Sequence, residues 1–152
     1  MSQSARAFLI SAILAFHILG LFVHRIAHRE LRIYLEPWEH YFVWIVVVLV
    51  PIVGAALAWT VYRRWAYVVF GTSMLAACIF GLAMHFFVLG DDNIRYLPPL
   101  EYQRVFIFSA IGLAGLEALG AFMGGYALWV SYAGPAPAKP KKKKRRIETR
   151  LD

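Results

Sequence analysis

AFLISAILAFHILGLFVHRIAH, residues Ala7–His28, carries no charge from Ala7 to His24, yet it holds three histidines. A run of about 20 predominantly apolar residues is what a helix needs to span the hydrocarbon core of a bilayer. Read as a helix, the stretch puts His17, His24 and His28 at i, i+7 and i+11, on one stripe with Gly20 and Ala27. A helix that faced lipid alone would have no use for imidazoles on that stripe. The remainder of the chain is therefore expected to pack against it.

Three more such runs follow, and together they predict an all-α integral membrane protein. The expected architecture is a four-transmembrane-helix bundle over residues 1–133, with spans of about 7–28, 41–62, 65–90 and 105–133. Short outer loops would join the spans, and residues 134–152 would form a disordered basic C-terminal tail. Composition agrees, because 61% of the 152 residues are hydrophobic and 16% are charged, against about half and a quarter in soluble domains. Pro51 sits inside the second run and is expected to kink it. Pro37 is expected to stop any extension of the first helix beyond Leu35. The single cysteine, Cys78, excludes an intrachain disulfide and a cysteine metal cage.

The net charge of +7 belongs almost entirely to the tail, which contributes eight Lys/Arg against Glu148 and Asp152. Its cluster Lys141, Lys142, Lys143, Lys144, Arg145 and Arg146 follows the last span closely, as an anionic-lipid or partner contact would, so no nucleic-acid role is expected. Arg6, Arg63-Arg64 and the tail fall on one side of the expected topology. The positive-inside rule then puts both termini in the cytoplasm, with a bacterial inner membrane as the expected setting. Trp38, Tyr41, Trp44, Trp59, Tyr62, Trp65, Tyr67, Trp129 and Tyr132 lie near the expected helix ends, where interfacial anchors belong.

Counting ~1.5 Å per residue places His24 roughly 27 Å from the level of Arg6, and His85 roughly 31 Å from that of Arg64. Both imidazoles should thus lie at similar depth near the outer face. Gly20 and Gly81 each sit one turn deeper, which would leave flat room for haem b between His24 and His85, with Arg25 and Arg29 near its propionates. The same end permits a different chemistry. His24 and His28 are spaced i, i+4, so with His40 they could ligate one transition-metal ion. Glu36, Glu39, Asp91 and Asp92 lie on the same rim, where local ion pairing is the simpler use of them. Deeper in the bundle, Glu117 is the one acid within a span, and its depth matches His17. A hydrogen bond fixing helix register is expected there, ahead of a proton relay.

The fourth run carries Gly120-x-x-x-Gly124, a spacing that lets helices approach closely, within the bundle or between copies or subunits. Phosphate loops, the GxSxG elbow and HExxH are absent from the sequence, so an enzyme is not the expectation. The function expected is a small membrane subunit or assembly partner of a larger redox complex. A b-type haem electron carrier, a copper, zinc or iron binding protein and an oligomeric channel stand as alternatives.

Overall fold

An apolar run in hydrocarbon can satisfy its backbone only by closing its own hydrogen bonds. Each of the four runs is helical in the computed structural model, which describes residues 1–133. We number the helices α1 (Gln3–Glu30), α2 (Pro37–Leu57), α3 (Arg63–Phe87) and α4 (Gln103–Ala133), all long and apolar enough to cross a membrane. No strand occurs among the described residues. The basic cluster Lys141–Arg146 lies outside them.

The helix limits come from capping chemistry. Ser2 opens α1 by accepting the amide of Ala5 at 3.2 Å. At the other end, Ile33 N donates to His28 O at 2.9 Å and Arg32 N to Arg29 O at 3.1 Å, with Arg32 at φ 57°. This is a Schellman ending, and the buried Ile33 packs in one cluster with Ala27, the contact that usually accompanies it. The helix therefore stops at Glu30 and does not run on to Leu35. Pro37, expected as a stop, is instead the start of α2. Its missing N–H costs nothing in the first turn, and Glu39 reaches back to the Glu36 amide at 2.7 Å to complete a capping box. The second span thus begins at Pro37 and ends at Leu57, four residues before and five before the expected limits.

Two stretches are wound as π-helix. Val43–Leu49 ends just before Pro51, so the wider turn falls where a proline would otherwise crowd the carbonyl four residues back. Ala83–Phe87 closes α3 and carries His85.

Helix α4 packs against both α1 and α3, and α3 packs against α2. Helix α1 meets the second half of α2, and just past the end of α2 Trp59 Nε1 donates to Ser11 Oγ at 3.0 Å. Glycines set the closest approaches. A Cβ on Gly54 would lie 2.9 Å from the Phe70 backbone nitrogen, and one on Gly124 would lie 2.5 Å from Gly71 Cα. Gly120 receives the Met74 side chain. The Gly120/Gly124 face is thus occupied within the bundle, by α3.

The interior has two apolar clusters. Ile10, Tyr67, Phe70, Met74 and Ala127 belong to one at the Arg63-Arg64 end. Ala27, Leu31, Ile33, Leu97 and Phe106 form the other, at the opposite end. Tyr67, expected as an interfacial anchor, is 1% exposed and belongs to the core. Trp38, Tyr41, Trp44, Trp59, Tyr62, Trp65, Trp129 and Tyr132 are exposed, as anchors facing a membrane interface would be.

Candidate metal centre

The buried polar residues occur at two levels. At the inner one, His17 Nε2 lies 3.0 Å from Glu117 Oε1, and both side chains are buried. The pair joins α1 to α4, and His17 Nδ1 has no partner. The contact gives His17 Nε2 and Glu117 Oε1 a partner each. Removing one partner orphans the other, at a cost of about 1–3 kcal/mol. Thermal unfolding in detergent should therefore order the proteins wild type, Glu117→Gln, then Glu117→Ala, since the amide oxygen still accepts a hydrogen bond. Equal midpoints for all three would deny the pair any stabilising role.

At the second level, near the far end of the bundle, three helices deliver imidazoles and their supports to one point. Helix α1 supplies His24 and His28 from successive turns of one face, while the π turn of α3 supplies His85. His24 Nε2 lies 3.2 Å from His85 Nε2 and 3.1 Å from His28 Nε2. From α4, Phe106 packs its ring against all three, at centroid distances of 4.7, 5.0 and 5.2 Å. The side chains of His28, His85 and Asp92 remain 12% to 14% exposed, so the cluster opens narrowly to solvent.

The surrounding hydrogen bonds hold the rings in place. Ser109 Oγ can donate its single hydrogen to the carbonyl of Val105 or Phe106, at 2.6 and 3.0 Å. The same Oγ is hydrogen-bonded to His24 Nδ1, 2.8 Å away, in a direction set by the imidazole tautomer. His85 Nδ1 faces two acceptors of Asp92, Oδ2 at 3.1 Å and the carbonyl at 3.3 Å, so it carries a proton. The Nε2 atoms of His24 and His85 face each other at a separation that suits a shared proton or two ligands of one metal ion. The third imidazole approaches the same point, and Asp92 Oδ1, which has no hydrogen-bond partner, lies 3.3 Å from His28 Nε2. Ligand bonds of 2.0–2.1 Å in a tetrahedron give edges of about 3.3 Å, close to the separations seen here. One ligand atom from each histidine fits within 4.8 Å of the others, so the triad could hold a metal ion.

Asp92 reaches the cluster because its loop is pinned back onto α3. Ile94 N donates to His85 O at 3.0 Å, and Asn93, 1% exposed, donates from Nδ2 to Val88 O at 2.8 Å. Among the rim acids, Asp92 alone joins the imidazoles: Glu39 caps α2, while Glu36 and Asp91 are exposed. His40 does not join them either. It is exposed, with its ring 6.3 Å from that of Trp44, and so leaves the expected metal set.

The haem arrangement is corrected on geometry. Two axial imidazoles on one iron hold their nitrogens about 4 Å apart with the macrocycle between them. His24 and His85 instead meet directly, with ring planes 69° apart. Gly20 offers no slot, because Leu113 fills the space beside it, and Gly81 looks toward Glu117 Oε2. Arg25 and Arg29 are exposed. These residues do not fit a porphyrin.

Ser109, Phe106 and Asn93 escape a reading of the sequence. A serine one turn inside a helix and an asparagine after Asp-Asp have ordinary uses, and only the packed bundle gives them others.

The fold and cluster define the class: a four-helix protein with helices suited to crossing a membrane and a histidine triad at one end of the bundle. No family model matches the chain, and neither does any curated protein or solved structure.

Proposed function

We propose that this chain is a membrane protein that holds one first-row divalent transition-metal ion through His24, His28 and His85, with Asp92 as the fourth ligand. The observation that carries the reading is the convergence of three imidazoles, with His24 Nε2 3.2 Å from His85 Nε2 and 3.1 Å from His28 Nε2. Imidazole nitrogens at these distances are held together by a shared proton or by a metal cation bound to both. Imidazole and carboxylate donors suit zinc, copper(II) or nickel, whereas magnesium and calcium favour all-oxygen shells and copper(I) favours sulfur. With Asp92 completing the set the site would be closed, the pattern of a holding site, whereas the three histidines alone would leave one position open. The ion would tie α1 to α3 across the end of α4. On this reading the chain serves as a small metal-holding subunit or partner within a larger membrane assembly.

Asp92 has two tasks in this arrangement. Its Oδ2 orients His85 by taking the Nδ1 proton, and its Oδ1 is free to ligate. Outer partners of ligating imidazoles are typically worth 10- to 100-fold in metal affinity. Asp92→Asn should lower Zn²⁺ affinity by at least that order, measured by competition with a chromogenic chelator in detergent. Unchanged affinity would remove Asp92 from the ligand set and leave the fourth position open.

A second reading has its own observation, the proximity of Asp92 to both His28 and His85. A proton in place of the metal would make one imidazole cationic and bind the cluster as a hydrogen-bonded network. Elemental analysis of protein purified without chelator separates the two, since the proton network contains no stoichiometric metal.

A further inference from the structure

An open groove of ≈ 580 Å³ runs along the junction of α1 and α4. Phe16 and Val23 wall it on α1, Phe108 and Leu116 wall it on α4, and Arg104 stands at its histidine end. Two glycines lie in it and behave differently. The space beside Gly20 is taken by the tip of Leu113, but a Cβ placed on Gly112 would meet nothing within 4 Å. The groove therefore owes much of its depth to the side chain that Gly112 lacks.

We propose that this groove binds one acyl chain of an anionic phospholipid, whose phosphate pairs with Arg104. Three observations select that occupant. The groove opens on a face of helices long and apolar enough to lie in a bilayer, so lipid is the solvent it meets. Its length fits: from Arg104 to Leu116 the helical rise is about 18 Å, close to half of the ~30 Å hydrocarbon core. That is the depth of a single leaflet. Charge fits as well. Arg104 is exposed and makes no salt bridge among the described residues, and it is the one charged residue lining an otherwise apolar groove. A guanidinium offers a phosphate two parallel donors in one plane.

The groove also borders the candidate metal centre, because Ser109 lines it and is hydrogen-bonded to His24 Nδ1. A lipid chain lying there covers that hydrogen bond from the bilayer side. Lipid binding does not depend on the metal reading, and the test below involves none of the imidazoles.

The full chain is reconstituted in nanodiscs of equal phosphatidylglycerol and phosphatidylcholine, released into the gas phase, and examined by native mass spectrometry for retained lipid. The wild-type protein retains one phosphatidylglycerol in preference to phosphatidylcholine. Arg104→Gln lowers that preference about fivefold. Gly112→Leu fills the groove and loses the retained lipid. The basic tail also attracts anionic lipid, but it is identical in every variant and drops out of the comparison. Equal retention of both lipids by wild type, or unchanged retention in Arg104→Gln, overturns the proposal. Arg104 is exposed at the start of α4, so its glutamine variant decides the matter even if Gly112→Leu fails to fold.

Discussion

Replacing His24 by alanine abolishes stoichiometric metal binding, with a loss of affinity on the order of 100-fold or more. His24 is the shared vertex of the cluster: its Nε2 makes both short separations, to His28 at 3.1 Å and to His85 at 3.2 Å. Removing it leaves His28 and His85 with Asp92 between them, two imidazoles without the nitrogen that closes the set. Structural sites draw roughly 10–16 kcal/mol from about four ligands, so one ligand is worth a few kcal/mol, and each 1.4 kcal/mol is tenfold. His28→Ala and His85→Ala fall in the same direction, whereas His40→Ala changes nothing, because that ring lies beside Trp44. Acid has the same sign as the mutation. Every ligating imidazole must present a bare nitrogen, so protons compete with the metal and affinity falls as pH is lowered. The measurement is metal content after dialysis, then Zn²⁺ competition titrations at two pH values. A metal-free wild type that takes up no zinc, copper or nickel would falsify the reading and leave the hydrogen-bonded network in its place.

How much of this was legible beforehand differs from level to level. The four spans are a property of local composition, and tertiary context does not enter into it. Their limits are less legible, because the same residue type can start or stop a helix. Pro37 reads as a stop until Glu36 and Glu39 are seen to close a capping box around it. Depth was legible as well. Counting helical rise brings His24 level with His85 and His17 level with Glu117, and the structure joins both pairs. What the count lacks is the third dimension. A porphyrin slot and a direct imidazole contact have the same sequence spacing, and the choice between them is made by Leu113 beside Gly20, Phe106 under the rings and the π turn at His85. None of these leaves a periodic trace. Asp92 is the same kind of case, since only the Asn93-pinned loop distinguishes it from Asp91.

Gly124→Leu should unfold the bundle more readily than any other glycine substitution in α4, with a cost of several kcal/mol. The argument rests on what the new atoms would strike. A Cβ at Gly124 lies 2.5 Å from Gly71 Cα, 2.8 Å from Gly71 N and 2.9 Å from Tyr67 O, all backbone atoms of α3. Backbone has no rotamer by which to retreat, so α3 and α4 must separate. Overpacking of a tight core by a few atoms costs about 1–3 kcal/mol, and a leucine adds its branched end to a Cβ that already has no room. Even Gly124→Ala should be destabilising, although alanine gains up to about 1 kcal/mol over glycine in a helix interior. Gly120→Ala should cost less, because its nearest neighbour, at 2.6 Å, is the terminal methyl of Met74, a flexible chain that can swing aside. Gly112→Ala meets nothing and should keep that gain, leaving stability unchanged or raised by up to about 1 kcal/mol. The order Gly124, Gly120, Gly112 can be read from thermal unfolding of the three alanine variants in one detergent, together with Gly124→Leu. The alternative role for the Gly120-x-x-x-Gly124 pair, contact between two copies, makes the opposite prediction. Under it Gly124→Leu would leave the unfolding midpoint in place and shift only the oligomer distribution on size exclusion. The close approach of Gly124 to Gly71 within one chain leaves no free surface there for a second copy to use.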